Sequence, residues 1–99
     1  MAVHHITVTL GAAAAAISTP AAGTPSIGCR ELQIESETGN GTVYVGDSTV
    51  TTTNYGRTVL AGSAAAITLR PADGISSINL ASTYLLGTNT QKVHCLYIS

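Results

Sequence analysis

The sequence predicts an all-β fold, a β-sandwich or jelly-roll-like barrel of seven to nine short antiparallel strands. Three observations predict it. Several segments alternate apolar and polar residues with the period of a half-buried strand. Turn residues recur at intervals of about ten positions, the spacing of sandwiches and barrels. Finally, no stretch carries enough helical pattern to sustain a helix longer than about two turns.

The elements follow in order. In residues 4–10, His4, Ile6, Val8 and Leu10 share one face, while His5, Thr7 and Thr9 take the other. Residues 12–16 are all alanine, but five alanines between Gly11 and a Ser-Thr-Pro stop are too few to nucleate a helix. They are read as an extended stretch or turn packed closely against a neighbour. Residues 18–28, with two prolines and two glycines, form a loop. Residues 29–37 alternate again, with Leu32 and Ile34 inward and Glu31, Gln33, Glu35 and Glu37 outward.

Gly39-Asn40-Gly41 signals a hairpin into a strand over residues 42–45. Residues 48–54 are threonine-rich and solvated. Residues 58–60 and 66–69 are short strands, 70–76 a loop, and 78–86 a strand-like run weakened at Ala81-Ser82-Thr83. The last strand, Lys92 to Ile98, is apolar on both faces. That pattern suits the middle of a sandwich or a subunit interface. The expected core is Ile6, Val8, Leu10, Leu32, Ile34, Val43, Val45, Leu60, Ile67, Leu69, Val93 and Cys95.

At 99 residues the chain makes one domain, 1–99, with 1–28 as an extended N-terminal segment contacting neighbouring subunits. It is 44% hydrophobic but only 9% charged, against about 25% charged in an average soluble domain. With no Phe or Trp, the core rests on aliphatic side chains that bury less area than aromatic rings. So few charges leave part of the surface to be covered by another subunit. The candidate interface is Ala12, Ala14, Ala16 and Ile17, or Leu96 and Ile98 on the last strand.

Four basic residues scattered along a chain of net charge −1 supply no phosphate-neutralising patch, so no nucleic-acid partner is expected. The apolar run 10–22 is too short and too interrupted to span a bilayer, and no basic region precedes it. Synthesis in the cytosol is therefore expected, without a membrane partner. Cys29 and Cys95 lack metal-type spacing and read as small buried hydrophobes with reduced thiols, a disulfide between them being the alternative.

Residue chemistry points away from catalysis, metals and cofactors. A strand-borne two-histidine metal site needs its histidines one residue apart, whereas adjacent His4 and His5 point to opposite faces. Glu31, Glu35 and Glu37 can line one face, but the four tyrosines are widely spaced and form no evident sugar platform. Asp47-Ser48 is turn chemistry. The 39–41 glycine loop lacks the lysine and helix of a phosphate loop. His94 and Cys95, as strand neighbours, face apart.

From residue 41 onward a set of motifs stands out: Gly-Thr-Val-Tyr-Val-Gly-Asp-Ser, Tyr55-Gly56, Leu60-Ala-Gly-Ser, Tyr84-Leu-Leu-Gly and Val93-His-Cys-Leu-Tyr-Ile. The pattern resembles small bacteriophage structural proteins that share a "VYVGDS" strand and a closing "V.VLYI" strand. It covers a little over half the chain, and Leu85-Leu86 and Ala64-Ala65 depart from its usual residues. The resemblance implies a virion structural protein, foremost a capsid decoration or cement protein on the capsid surface. Its partners would be the major capsid protein and further copies of itself, as a homotrimer. The second reading is a tail or head-fibre base component, or a receptor- or carbohydrate-binding module.

Overall fold

Strand pairing in the computed structural model, which describes residues 3–17, 28–70 and 78–98, is concentric. In chain order the strands are β1 (Val3–Thr9), β2 (Ala15–Ala16), β3 (Gly28–Cys29), β4 (Glu31–Ser36) and β5 (Val43–Gly46), then β6 (Arg57–Val59), β7 (Ile67–Leu69), β8 (Ile78–Asn79), β9 (Tyr84–Leu86) and β10 (Lys92–Ile98). β1 pairs with β10, β2 with β9, β3 with β8, β4 with β7 and β5 with β6, all antiparallel. The chain is thus one long hairpin. Rolling that hairpin brings β10 beside β4 and β5 beside β9.

The result is two four-stranded sheets, ordered β1-β10-β4-β7 and β2-β9-β5-β6, with the short β3-β8 pair as a third. This is the strand plan of a two-sheet jelly roll. The sheets do not join into a closed barrel, so the barrel alternative is set aside. Ten strands appear among the described residues, one more than the expected maximum. The extra element arises in residues 78–86. There, Asn79 Oδ1 accepts the Ala81 N–H at 2.9 Å and caps a 3₁₀ turn, Leu80–Ser82, which divides the run into β8 and β9.

The Gly39–Gly41 turn also differs from its expected role. β4 and β5 lie in opposite sheets, so this turn crosses between layers and closes no hairpin. Gly39 has φ of 93°, a conformation that a side chain disfavours. Asn40 then donates from Nδ2 to Ser36 Oγ and to the Lys92 carbonyl, both at 2.8 Å. The alanine stretch forms no helix: it bends at Ala12 and Ala13, and its end forms β2 against Tyr84 and Leu85. Most of the loops expected over 18–28 and 70–76 lies outside the described residues.

Inward residues of the two sheets make the core. Val8, Leu10, Leu32, Ile34, Val43, Val45, Val93 and Cys95 are buried as expected, together with Ile17, Cys29, Val50, Val59, Leu80, Leu85 and Tyr97. Leu60 is the correction: it is 58% exposed. Val59 pairs with inward Val43, and strand alternation turns the next residue outward. Ile6, Ile67 and Leu69 are only partly buried, because β1 and β7 are the edges of the first sheet.

Candidate functional site

Two outward faces carry the side chains with chemistry. On the first sheet, register aligns four rows across β1, β10 and β4. These are Val3–Ile98–Glu31, His5–Leu96–Gln33, Thr7–His94–Glu35 and Thr9–Lys92–Glu37. The last of these is closed by the Glu37 N–H bonding to the Lys92 carbonyl at 3.5 Å. All three glutamates of β4 and the following turn therefore share a face with two histidines and a lysine.

Pairing disperses the charge on this face. Glu31 Oε1 takes Arg70 Nε at 2.7 Å and its Oε2 takes Gln33 Nε2 at 3.2 Å. The Arg70 hydrogen bond, then that from Gln33, holds the Glu31 carboxyl below the usual carboxylate range. His94 Nε2 lies 2.6 Å from Glu37 Oε2, and His94 Nδ1 lies 3.2 Å from Thr7 Oγ1. A shallow cleft of about 370 Å³ runs between His5, Gln33, Glu35, Ala66, His94 and Leu96. The glutamate face thus meets solvent already partly neutralised by its own sheet.

The second sheet presents aromatic and polar groups. Tyr44 on β5 and Tyr55, just before β6, bring their ring centroids to 5.0 Å with a tilt of 54°. Tyr84 lies on the same face, since its partner Gly46 is two residues from Tyr44 along β5. Eleven positions separate the paired tyrosines in sequence, so the expectation of widely spaced tyrosines does not hold in space. No local signal finds them: the 47–56 loop carries Tyr55 back beside β5, ahead of the paired residues of β6.

That loop is held by its own polar groups. Asp47 Oδ1 accepts the Thr49 N–H at 2.8 Å and the Thr49 hydroxyl at 2.5 Å. The hydroxyl bond first, then the backbone bond, keeps the Asp47 carboxyl below its ordinary range. Asn54 Nδ2 donates to the Thr49 carbonyl at 3.2 Å, and Val50 is tucked beneath. A cleft of about 260 Å³ opens between Asp47, Thr49, Asn54 and Tyr55.

The candidate interface residues divide. Leu96 and Ile98 stand on the outer face of the first sheet beside strongly exposed Val3. Ala12 is exposed, Ala14 and Ala16 are half-buried, and Ile17 is enclosed in the chain's own core. Among the described residues no group of three or more His, Cys, Asp or Glu side chains is placed to hold a metal ion. His94 is exposed and Cys95 buried on opposite faces of β10, and burial pushes the Cys95 thiol up to about 12, so it stays protonated. No helix among the described residues is long and apolar enough to cross a membrane. Set beside protein-family models, curated proteins and solved structures, the chain matches none of them.

Proposed function

We propose that this chain is a structural component of a bacteriophage virion, foremost a decoration or cement protein that binds the major capsid protein on the capsid surface. The observation that carries the reading is the way the resembling motifs meet. Val43–Gly46 is flanked on one side by the strand that follows Tyr55-Gly56 and on the other by Tyr84–Leu86. Motifs separated by up to forty positions are thus three neighbouring strands of a single sheet. Two-sheet jelly rolls also recur in viral capsid domains, a fold-level analogy that supports the reading without assigning a role.

Mechanistically, such a protein adds buried area across junctions between capsomers, and mass action converts that binding into shell stability. The outer face of the first sheet suits this task. Exposed Val3 and Leu96, with Ile98 beside them, supply apolar area, and the glutamate rows supply register against basic groups of a shell. The experiment is reconstitution: purified protein is added to shells lacking it, the shells are imaged, and their melting is followed. Density on the shell with a raised melting temperature is expected. Shells that bind none overturn the reading.

The Tyr44–Tyr55 pair beside the Asp47–Asn54 loop favours a second reading, a carbohydrate-binding module at a tail or head-fibre base. Glycan-array binding that is lost in Tyr55→Ala, with shells left undecorated, would select it over the first.

A further inference from the structure

Edges of sheets need protection, and three of the four edges of the two four-stranded sheets have it by brevity. β2 has two residues, β6 three and β7 three, too short to template another strand. β1 is different. It is a seven-residue edge, Val-His-His-Ile-Thr-Val-Thr, with no proline, lysine, arginine or carboxylate and an unbroken register against β10. Among the described residues, β1 itself carries none of the usual sequence guards of a long edge.

The free backbone groups of this edge follow from parity. Leu10 takes its N–H to the Gln91 carbonyl and accepts from the Thr90 N–H, both at 2.8 Å, so its backbone faces β10. On β10, the Lys92 carbonyl instead faces β4, where it accepts the Glu37 N–H. Antiparallel alternation then aims Val8 and Ile6 toward β10. It leaves the N–H and C=O groups of Val3, His5, Thr7 and Thr9 pointing away from the sheet.

We infer that β1 pairs antiparallel with β1 of a second copy, joining two four-stranded sheets into one across a twofold axis at Ile6. That register places Val3 opposite Thr9 and His5 opposite Thr7. It uses all four outward residues, for about eight interchain hydrogen bonds at two per pair. Each Ile6 then faces its own copy in a close, non-hydrogen-bonded pair on the core side. Ile6 packs on the core but is only partly buried in the single chain, and this contact covers it.

Charge allows the pairing. β1 carries no formally charged side chain at neutral pH, so self-pairing opposes no like charges across the new seam. The glutamates of β4 sit two strands in. Five strand spacings separate β4 from its copy, about 24 Å, several times the screening length of about 8 Å. The inference rests on strand geometry alone and is independent of the virion reading. It sets the number of chains at two, in place of the three that the resemblance implies.

The test is mass and cross-linking at micromolar protein. Light scattering on the full chain should give twice the 10.0 kDa chain mass. His5→Pro removes an outward donor while sparing every bond to β10, and should give the single-chain mass with an unchanged circular dichroism spectrum. Ile6→Cys keeps all backbone groups and places two thiols within disulfide reach, so mild oxidation should yield a covalent pair on non-reducing electrophoresis. Thr68→Cys, on the far edge, should not. A two-chain species cross-linked at position 6 supports the inference even where His5→Pro fails to fold. A one-chain or three-chain mass, or a two-chain mass without that cross-link, overturns it.

Discussion

Asn40 holds Ser36 from the far side of the interlayer turn: its amide donates to the Ser36 hydroxyl and, with the same nitrogen, to the Lys92 carbonyl, each at 2.8 Å. Ser36 is fully enclosed, so Asn40 is what satisfies its buried oxygen. The two residues are unequal partners. Asn40→Ala strands the buried hydroxyl and should cost about 1–3 kcal/mol, whereas Ser36→Ala removes the need and should cost about 1 kcal/mol or less. The double variant should lose less than the sum. Urea unfolding of the three variants checks this, and equal losses for the two single changes would refute it.

Gly87 should tolerate no side chain. A Cβ built there would lie 2.7 Å from Leu10 Cδ1, inside the core. Gly87→Ala should therefore lose about 1–3 kcal/mol by overpacking. Trimming the obstacle should recover part of this, so Gly87→Ala combined with Leu10→Val should be less unstable than the two losses added. Additive losses would show that Leu10 is not what Gly87 accommodates.

Burial separates two aliphatic positions that look alike in sequence. Ile34 is fully buried between β10 and β7, and Ile34→Ala should cost about 2–5 kcal/mol. Leu60→Ala should stay within about 0.5 kcal/mol of the parent, since Leu60 is outward. Chemical denaturation of both decides the register of β4 and β6 together. A costly Leu60→Ala would mean that Leu60 is covered by another surface.

Acid should weaken the fold through Glu31 and Asp47. Both carboxyls titrate lower in the folded chain than unfolded, Glu31 through Arg70 and Asp47 through Thr49. The unfolded chain therefore takes up protons first. Their contribution is complete above the ordinary carboxylate range of about 4 and drains away as pH falls below it. The urea midpoint should drop between pH 5 and pH 2, and less steeply in Asp47→Asn. An unchanged slope in that variant would remove Asp47 from the account. In high salt the Glu31–Arg70 share should shrink, since Arg70 is largely exposed although Glu31 is half-buried.

Strand positions were legible because alternation is a local property. β1, β4 and β5 fall where Ile, Val and Leu recur every second residue, and their inward sides follow directly, whereas β10 is apolar on both faces. Sheet membership was not legible. Turn residues such as Gly39 and Asn40 mark where the chain bends but not whether it returns beside itself or crosses to the other layer. The short strands suffered most. In three residues such as Arg57–Val59, alternation has no second period to fix the face, which is how Leu60 was assigned inward.

The candidate faces were legible in part, for the same reason. The glutamates share a face because they sit two and four residues apart on one strand and its continuation, which is visible locally. Tyr44 and Tyr55 meet only because a loop returns to β5, and nothing within eleven residues announces that. Contacts made by parity within a strand can be read in advance. Contacts made by closure of a loop need the fold.

The concentric pairing has a consequence for how the chain is made. β10 lies between β1 and β4, so the first sheet has a gap at its centre until the strand closest to the C-terminal end is available. On a ribosome, β1 waits unpartnered through the synthesis of almost everything else. Val3 and Ile98 end as neighbours, so the first sheet closes only once β10 has been made, and then all at once. A chain cut short by a dozen residues keeps most of its composition but loses the strand that its two halves share. It should be handled by the cell as unfolded rather than as slightly damaged.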